Sequence, residues 1–355
     1  MNDFNSYSIN IIKIFLRSLK AILPLCLLYF CTSCGSGSDK IPDVSNIQLD
    51  VKVQRFDQDM MAIDTNNIAV GVSGLKSKYP MFMEIFPQII SDPSRKDATA
   101  EAVIGDFIRH KQIRNLFDSC QLIYRDMSAY DKEFTQAFRF FKYYFPKRPT
   151  PQVISYISEY GVGAFPYGDS LLAVGVDFFL GENHTGYQHL DIPRYVLRGM
   201  DKNHLVARGM EAWVNGMIDE SPLGKRLIDV MIDNGKKLYI LDKLLPYTPD
   251  SVKLAYTQKQ VDWCKNNEAD LWAYVLSDNL LYSVKGESWS KLVNPSPSGT
   301  TKMPADSPGR AGNWMGMQII KAYMQRMPNT TMDQLIALKD AQSILDKSKY
   351  KPKRK

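Results

Sequence analysis

Apolar residues recur along this chain mostly at steps of three and four, and only briefly in alternation. The segment Ile47-Gln-Leu-Asp-Val-Lys-Val53 alternates strictly, which predicts a half-buried strand. Helical spacing then takes over. Ala98 to Phe117 reads as one helix, with Val103, Ile104, Phe107, Ile108 and Leu116 on one side. Phe134, Ala137, Phe138, Phe141, Tyr144 and Phe145 keep the same steps until Pro146 ends them. This aromatic stripe reads as core rather than as a ligand wall. Val153–Ile157 and the continuous apolar run Leu171–Phe179 read as strands, the second covered on both faces. Further helices are expected over His204–Ile218, Leu227–Met231, Leu238–Leu245, Gln258–Leu281, Gly309–Arg326 and Met332–Lys347. Pro295, Pro297 and Gly299 mark a loop. The pattern predicts a predominantly helical α+β domain, a small sheet packed by several helices.

The N-terminus follows a different rule. Lys13, Arg17 and Lys20 precede the apolar stretch Ala21–Phe30, and the run Cys31-Thr-Ser-Cys34-Gly35 follows it. A basic region, a short apolar region and small residues describe a secretory signal peptide. Thr32 and Ser33 before Cys34 resemble a bacterial lipobox, although Cys31 stands where leucine is usual. In such a motif the cysteine receives acyl chains and becomes the mature N-terminus. A transmembrane helix needs about 20 consecutive apolar residues, and Arg17 and Lys20 interrupt any such window. A plain cleaved signal, with Cys34 incidental, stays open. Gly35-Ser-Gly-Ser-Asp-Lys40 is a flexible polar tether. The organisation expected is signal peptide 1–33, tether 34–45, one globular domain 46–346 and a basic tail 347–355.

Charge is unevenly placed. The net +6 of the chain equals what the lysines and arginine of residues 347–355 contribute alone. The signal adds further positive charge, so the body lies near −2. A nucleic-acid binder carries a basic face on the fold itself, so nucleic acid is not an expected partner. The tail reads as a solvated end or as a contact with anionic headgroups or an acidic partner. After signal removal the cysteines are Cys34, Cys120 and Cys264. Cys120 and Cys264 are either one disulfide or two buried thiols.

Chemistry-bearing motifs are sparse. Glu182, His184, His189 and Asp191 cluster in a Gly-rich connection, but their spacing matches no helical ligand pair, and a surface turn accounts for them. His204 and Glu211 share a helix face two turns apart, and the chain has no His-Glu-x-x-His motif. No Gly-x-Ser-x-Gly elbow and no phosphate-cradling loop is present. No metal and no cofactor is therefore expected. Glu268 and Asp270 read as solvated acids on a helix.

The sharpest local signature is Asp306-Ser-Pro-Gly-Arg-Ala-Gly-Asn-Trp-Met-Gly316. Asp306 or Ser307 is placed to cap a helix with Pro308 at its first position. Gly309, Gly312 and Gly316 then leave one face bare. Glycine inside a helix costs about 1 kcal/mol against alanine, so another element is expected to approach closely there. Arg310 would lie in the first turn, where a cation opposes the helix dipole. It needs either an internal carboxylate or a ligand or partner anion.

Several segments together resemble the gliding-motility lipoprotein GldB family of Bacteroidota. They are Arg55-Phe-Asp57, Lys142-Tyr-Tyr-Phe-Pro146, Leu171-Leu-Ala-Val-Gly-Val-Asp177, Asn234-Gly-Lys-Lys-Leu-Tyr239 and Leu244-Leu-Pro246. Trp263-Cys-Lys-Asn-Asn-Glu268, Leu280-Leu-Tyr-Ser283, Asp306-Ser-Pro-Gly-Arg310 and Lys347-Ser-Lys-Tyr-Lys-Pro-Lys353 complete the series, in order, over nearly all of the mature chain. One departure is Pro297-Ser-Gly-Thr-Thr-Lys302, small and polar where relatives carry an aromatic-rich Pro-Phe-Ser segment.

The resemblance implies a cell-envelope lipoprotein needed for gliding, anchored at Cys34, with no established enzymatic activity. It implies an outer-membrane anchor facing the periplasm, and partners in the motility or envelope machinery. Asp177, Glu268, Asp306 and Arg310, each inside a resembling segment, are the candidate binding or structural residues. The late glycine helix also looks similar to that of zincin-type peptidases, which implies a degenerate zincin-like fold without its metal. The alternative function is a degenerate or metal-independent hydrolase, or a ligand-binding lipoprotein, acting on envelope peptides or glycans.

Overall fold

The computed structural model describes residues 40–94, 97–218, 224–300, 302–304 and 306–352. The signal peptide, Cys34 and the start of the tether lie outside them. The chain divides into two units, Met1–Asp43 and Val44–Lys355. Of the first, residues 40–43 are described and carry no regular structure.

The first strand of the second unit, β1 (Val53–Arg55), leads directly into α1 (Phe56–Met61). Helices α2 (Ile68–Lys78), α3 (Pro80–Ile90), α4 (Ala100–Arg109), α5 (Lys111–Tyr124) and α6 (Ser128–Tyr144) cross over to β2 (Gln152–Tyr156). A hairpin of β3 (Ala164–Tyr167) and β4 (Leu171–Gly175) completes the sheet, turned at Gly168. After the short α7 (Arg194–Leu197) come α8 (Leu205–Met217), α9 (Leu227–Leu244), α10 (Asp250–Leu254), α11 (Gln258–Asn266) and α12 (Glu268–Ser277). Helices α13 (Gly286–Val293), α14 (Ala311–Arg326), α15 (Met332–Ala337) and α16 (Ala341–Ser348) close the chain. The unit is α+β and predominantly helical.

Strand order is β1-β2-β4-β3, with β1, β2 and β4 parallel and β3 antiparallel at one edge. All five β4 residues are buried, as a parallel strand covered on both faces requires. The apolar run beyond Gly175 leaves the sheet as a 3-10 turn, Val176–Phe179. The aromatic stripe on α6 is core: Phe134, Phe138, Phe141 and Phe145 are fully buried. Phe138 and Phe141 meet Trp213 of α8 edge-on at 6.2 and 5.9 Å.

Several boundaries differ from the periodicity. The alternating segment 47–53 joins the sheet only at Val53. Upstream, its backbone runs along α6 and bonds to side chains there: Thr135 Oγ1 takes the Val51 N–H at 2.9 Å, and Arg139 donates to the Leu49 carbonyl at 3.1 Å. Asp131, one turn before Thr135, takes the Val53 N–H at 2.9 Å. A helix face with polar groups four apart thus replaces a neighbouring strand. The helix expected over Ala98–Phe117 breaks at His110, which is extended, and the helix over Gln258–Leu281 breaks at Asn267. The two short helices expected between Leu227 and Leu245 are one, α9, running through Gly235. Helices α1 to α3, α10 and α13 and strand β3 lie where the periodicity predicts no element.

The C-terminal segment is packed further than its charge suggests. Helix α16 extends to Ser348, and Tyr350 lies edge-on to Trp272 at 5.3 Å. Tyr350 also donates to Glu268 Oε1 at 2.8 Å. Glu268 is buried, not solvated. No helix among the described residues is long and apolar enough to cross a membrane.

Candidate functional site

The glycine signature sits at the centre of the molecule's main helix pair. Gly316 of α14 approaches α9 so closely that a Cβ on it would lie 1.9 Å from the Met231 carbonyl oxygen. A Cβ on Gly235 would meet the Gly316 carbonyl carbon at 2.3 Å. A Cβ on Gly312 would lie 2.7 Å from the Leu292 carbonyl oxygen of α13. The bare face is therefore a packing face.

Its N-terminal end is built differently from the capping pattern. Helix α14 begins at Ala311, and Arg310 is the residue before it, left-handed at φ 61°. Neither Asp306 nor Ser307 caps the helix, and Pro308 lies outside it. Asp306 is exposed. Gly309 is pressed against Ser296, and its carbonyl accepts from the Tyr256 hydroxyl at 2.5 Å. The Arg310 N–H donates to the Lys291 carbonyl at 2.9 Å, which fixes the turn.

This turn aims the Arg310 side chain into an open cleft. Its Nη2 donates to the Leu254 carbonyl at 2.6 Å, and its guanidinium lies over the Tyr256 ring at 5.8 Å. No carboxylate pairs with it among the described residues. The internal carboxylate expected as one solution is therefore not the one used. Two cavities of about 730 and 380 Å³ meet at Arg310 and share Ala164, Glu211, Asn215 and Tyr256. Strand β3 borders both, α8 forms one side with Arg208, Glu211 and Asn215, and α9 closes the far end with Asn234 and Lys237.

The charges in the cleft are uneven. Arg208 is paired with Glu211 one turn on, and its Nη2 reaches the carbonyls of Val252 and Lys253. Burial presses the Arg208 guanidinium below the usual arginine range; Glu211 opposes this and the nearby Arg310 charge adds to it. Lys237 is held by Asp233 at 3.1 Å. Arg198 lines the smaller cavity, half-buried, without a salt-bridge partner among the described residues. Among the described residues, Glu211 is the one carboxylate lining either cavity. Arg198 and Arg208 carried no motif; the three-residue spacing of Arg208 and Glu211 on an expected helix was the one usable signal.

The other candidates lie elsewhere. Asp177 is fully buried beyond the end of β4 and accepts the N–H groups of Ser158 and Tyr160 at 3.0 and 2.8 Å. It thereby holds the left-handed pair Glu159 and Tyr160. Burial pushes its carboxyl up to about 6; the backbone donors hold it down, and the Asp57 charge raises it further. The unfolded value is near 3.9, so between pH ~4 and ~6 the folded state binds more protons, and stability falls as pH rises across that window. Asp177→Asn keeps an acceptor for both N–H groups and is expected to remove about 2 kcal/mol of fall between about pH 4.5 and about pH 7.5. Urea unfolding of both proteins at about pH 4.5 and about pH 7.5 checks this; equal slopes would sink it.

Glu268 bonds to Tyr350 and ties the C-terminus to α12, away from the cleft. Cys120 and Cys264 are buried free thiols, both pushed up by burial. In the histidine cluster, His184 Nε2 pairs with the Tyr160 hydroxyl at 2.8 Å. Among the described residues no three histidine, cysteine or acidic side chains converge as a metal site.

A large helical body around a small mixed sheet, carrying an arginine-lined cleft, defines a predominantly helical α+β domain. The family model for gliding motility protein GldB matches residues 37–352, nearly the whole chain. The chain belongs to the GldB family. No curated protein and no solved structure matches it.

The resembling segments now have positions. Arg55 and Asp57 join β1 to α1, Asn234 bonds to Asn313 across the α9–α14 pair at 2.9 Å, and Lys142 holds the carbonyls of Pro146 and Arg148 at 3.1 and 2.7 Å.

Proposed function

We propose that this protein is a lipid-anchored component of the cell envelope, held to the membrane through Cys34, that serves gliding motility or a related envelope process by contacts of its globular body. The cleft at Arg310 is the contact site. The observation that carries a binding role over a reaction is the state of Glu211. The one carboxylate lining the cleft among the described residues is bound to Arg208, which is itself fixed to two main-chain carbonyls. Glu211 serves there as the counter-charge of Arg208, with its Oε2 committed to that ion pair. Family membership supports the motility setting, and the sequence around Cys34 supports the anchor.

In the native cell, Cys34→Ala is expected to move the protein from the membrane to the soluble fraction. A deletion strain is expected to spread poorly, and the Cys34→Ala gene should fail to restore it. Spreading restored by the soluble form overturns the anchoring role. Unchanged spreading, surface export and envelope integrity after deletion overturn the function itself.

A further inference from the structure

We propose that the cleft binds an extended peptide segment whose main chain adds to the open edge of β3 and whose carboxylate is taken by Arg310 and Arg198. This rests on the binding role given above and names its ligand class.

The sheet supplies the first half. β3 is an edge strand and borders both cavities. The Gly175 N–H donates to the Gly163 carbonyl at 2.8 Å, and the register continues Ala164 to Val174, Phe165 to Ala173 and Pro166 to Leu172. In an antiparallel ladder hydrogen-bonded pairs alternate with unbonded ones. Gly163 and Phe165 therefore face β4, and the main-chain groups of Ala164 and Pro166 turn outward. Proline has no N–H, so the outward edge offers the Ala164 N–H and the carbonyls of Ala164 and Pro166. A proline is tolerated at this position because no strand among the described residues pairs with this edge. An extended segment fits such an edge through main-chain bonds alone.

Charge supplies the second half. Among the described residues the cleft holds Arg198, Arg208, Arg310 and Lys237 against Glu211; Arg208 is paired with Glu211, and Lys237 with Asp233 outside the lining. Two cationic side chains are left over in a body whose net charge is slightly negative. Each guanidinium presents a planar fork that matches a carboxylate. Arg310 is already oriented by Leu254 and Tyr256, so little freedom is lost when it binds. Phe178, Tyr195 and Val196 line the same cavity and give an apolar side chain of the peptide a wall to lie on.

The test uses the mature, full-length protein in detergent and an array of randomised hexapeptides, each made as free acid and as C-terminal amide. Retention of a subset of free acids, weakened at least tenfold as amides, supports a chain-terminal carboxylate. Equal binding of acid and amide, lost when Asp and Glu are excluded from the array, supports the same site reading a side-chain carboxylate. Arg198→Gln and Arg310→Gln should each lower affinity at least tenfold; the first touches no described salt bridge, so folding should be unaffected. Ala164→Pro, which removes the outward N–H without removing a ladder bond, should do the same. An array with no retained member overturns the proposal, as does binding unchanged in all three variants. Binding of inorganic phosphate without any peptide also overturns it. If the array fails while the deletion strain still cannot spread, the motility role stands and only the ligand is wrong.

Discussion

Gly316→Ala is expected to destabilise the protein by about 3 kcal/mol, even though alanine is the better helix former by about 1 kcal/mol. The added methyl would sit 1.9 Å from the Met231 carbonyl oxygen and 2.7 Å from its carbon. Both belong to helix backbone, so no side chain can rotate away, and α9 and α14 must separate. Asn234 and Asn313, bonded across the same pair at 2.9 Å, would be strained with them. Gly74 in α2 provides the control, since a Cβ there meets nothing within 4 Å. Gly74→Ala should stabilise by roughly 0.5–1 kcal/mol through helix propensity alone. Urea midpoints shifting in opposite directions for the two variants would confirm the contact. A Gly316→Ala protein as stable as the wild type would show that the helices do not meet there.

Asp57→Ala is expected to cost about 3–5 kcal/mol, because it leaves the charge of Arg55 without its buried partner. Asp57 is fully buried and accepts two bonds from Arg55, at 3.0 and 2.7 Å, and a third from Ser155 at 2.6 Å. Arg55 and Ser155 face each other in the β1–β2 register, so this network clamps the first strand to the second. The Arg55→Met, Asp57→Leu double variant should recover much of the loss, since it removes both charges together. Thermal melts of the single and double variants distinguish this from a mere packing role. A double variant no better than Asp57→Ala would mean that shape, not charge, holds the clamp.

Both predictions bear on segments that mark the family, since Asp57 lies inside one and Gly316 packs against Gly235 of another, and both give those segments a structural reason. Arg55-Phe-Asp57 is an ion pair with an aromatic between its members, and Phe56 packs on Phe86 at 4.6 Å. The Asn234-Gly-Lys-Lys run supplies the approach to α14. By contrast, Asp306 in the same kind of segment is exposed and outside the cleft. Presence in a family motif therefore did not separate packing residues from cleft residues.

Features that depend on neighbours a few residues away are legible in the residue pattern. The stripe on α6, the fully buried run of β4, the late glycine face and the loop after Pro295 follow from periodicity, and each lies close to where periodicity placed it. The family, too, was legible in short segments spread along the chain. Tertiary structure alone decided the rest. Strand β3 has four residues, a proline and partial exposure, too little apolar signal to register. Segment 47–52 alternates like a strand, but its hydrogen bonds go to polar side chains of α6, a choice that local pattern does not encode. The cleft assembles Ala164, Arg198, Glu211, Tyr256 and Arg310 from five separate stretches of chain. Whether an arginine is paired or left over depends on which carboxylates the fold brings within reach, and that is a property of distances through space rather than along the sequence.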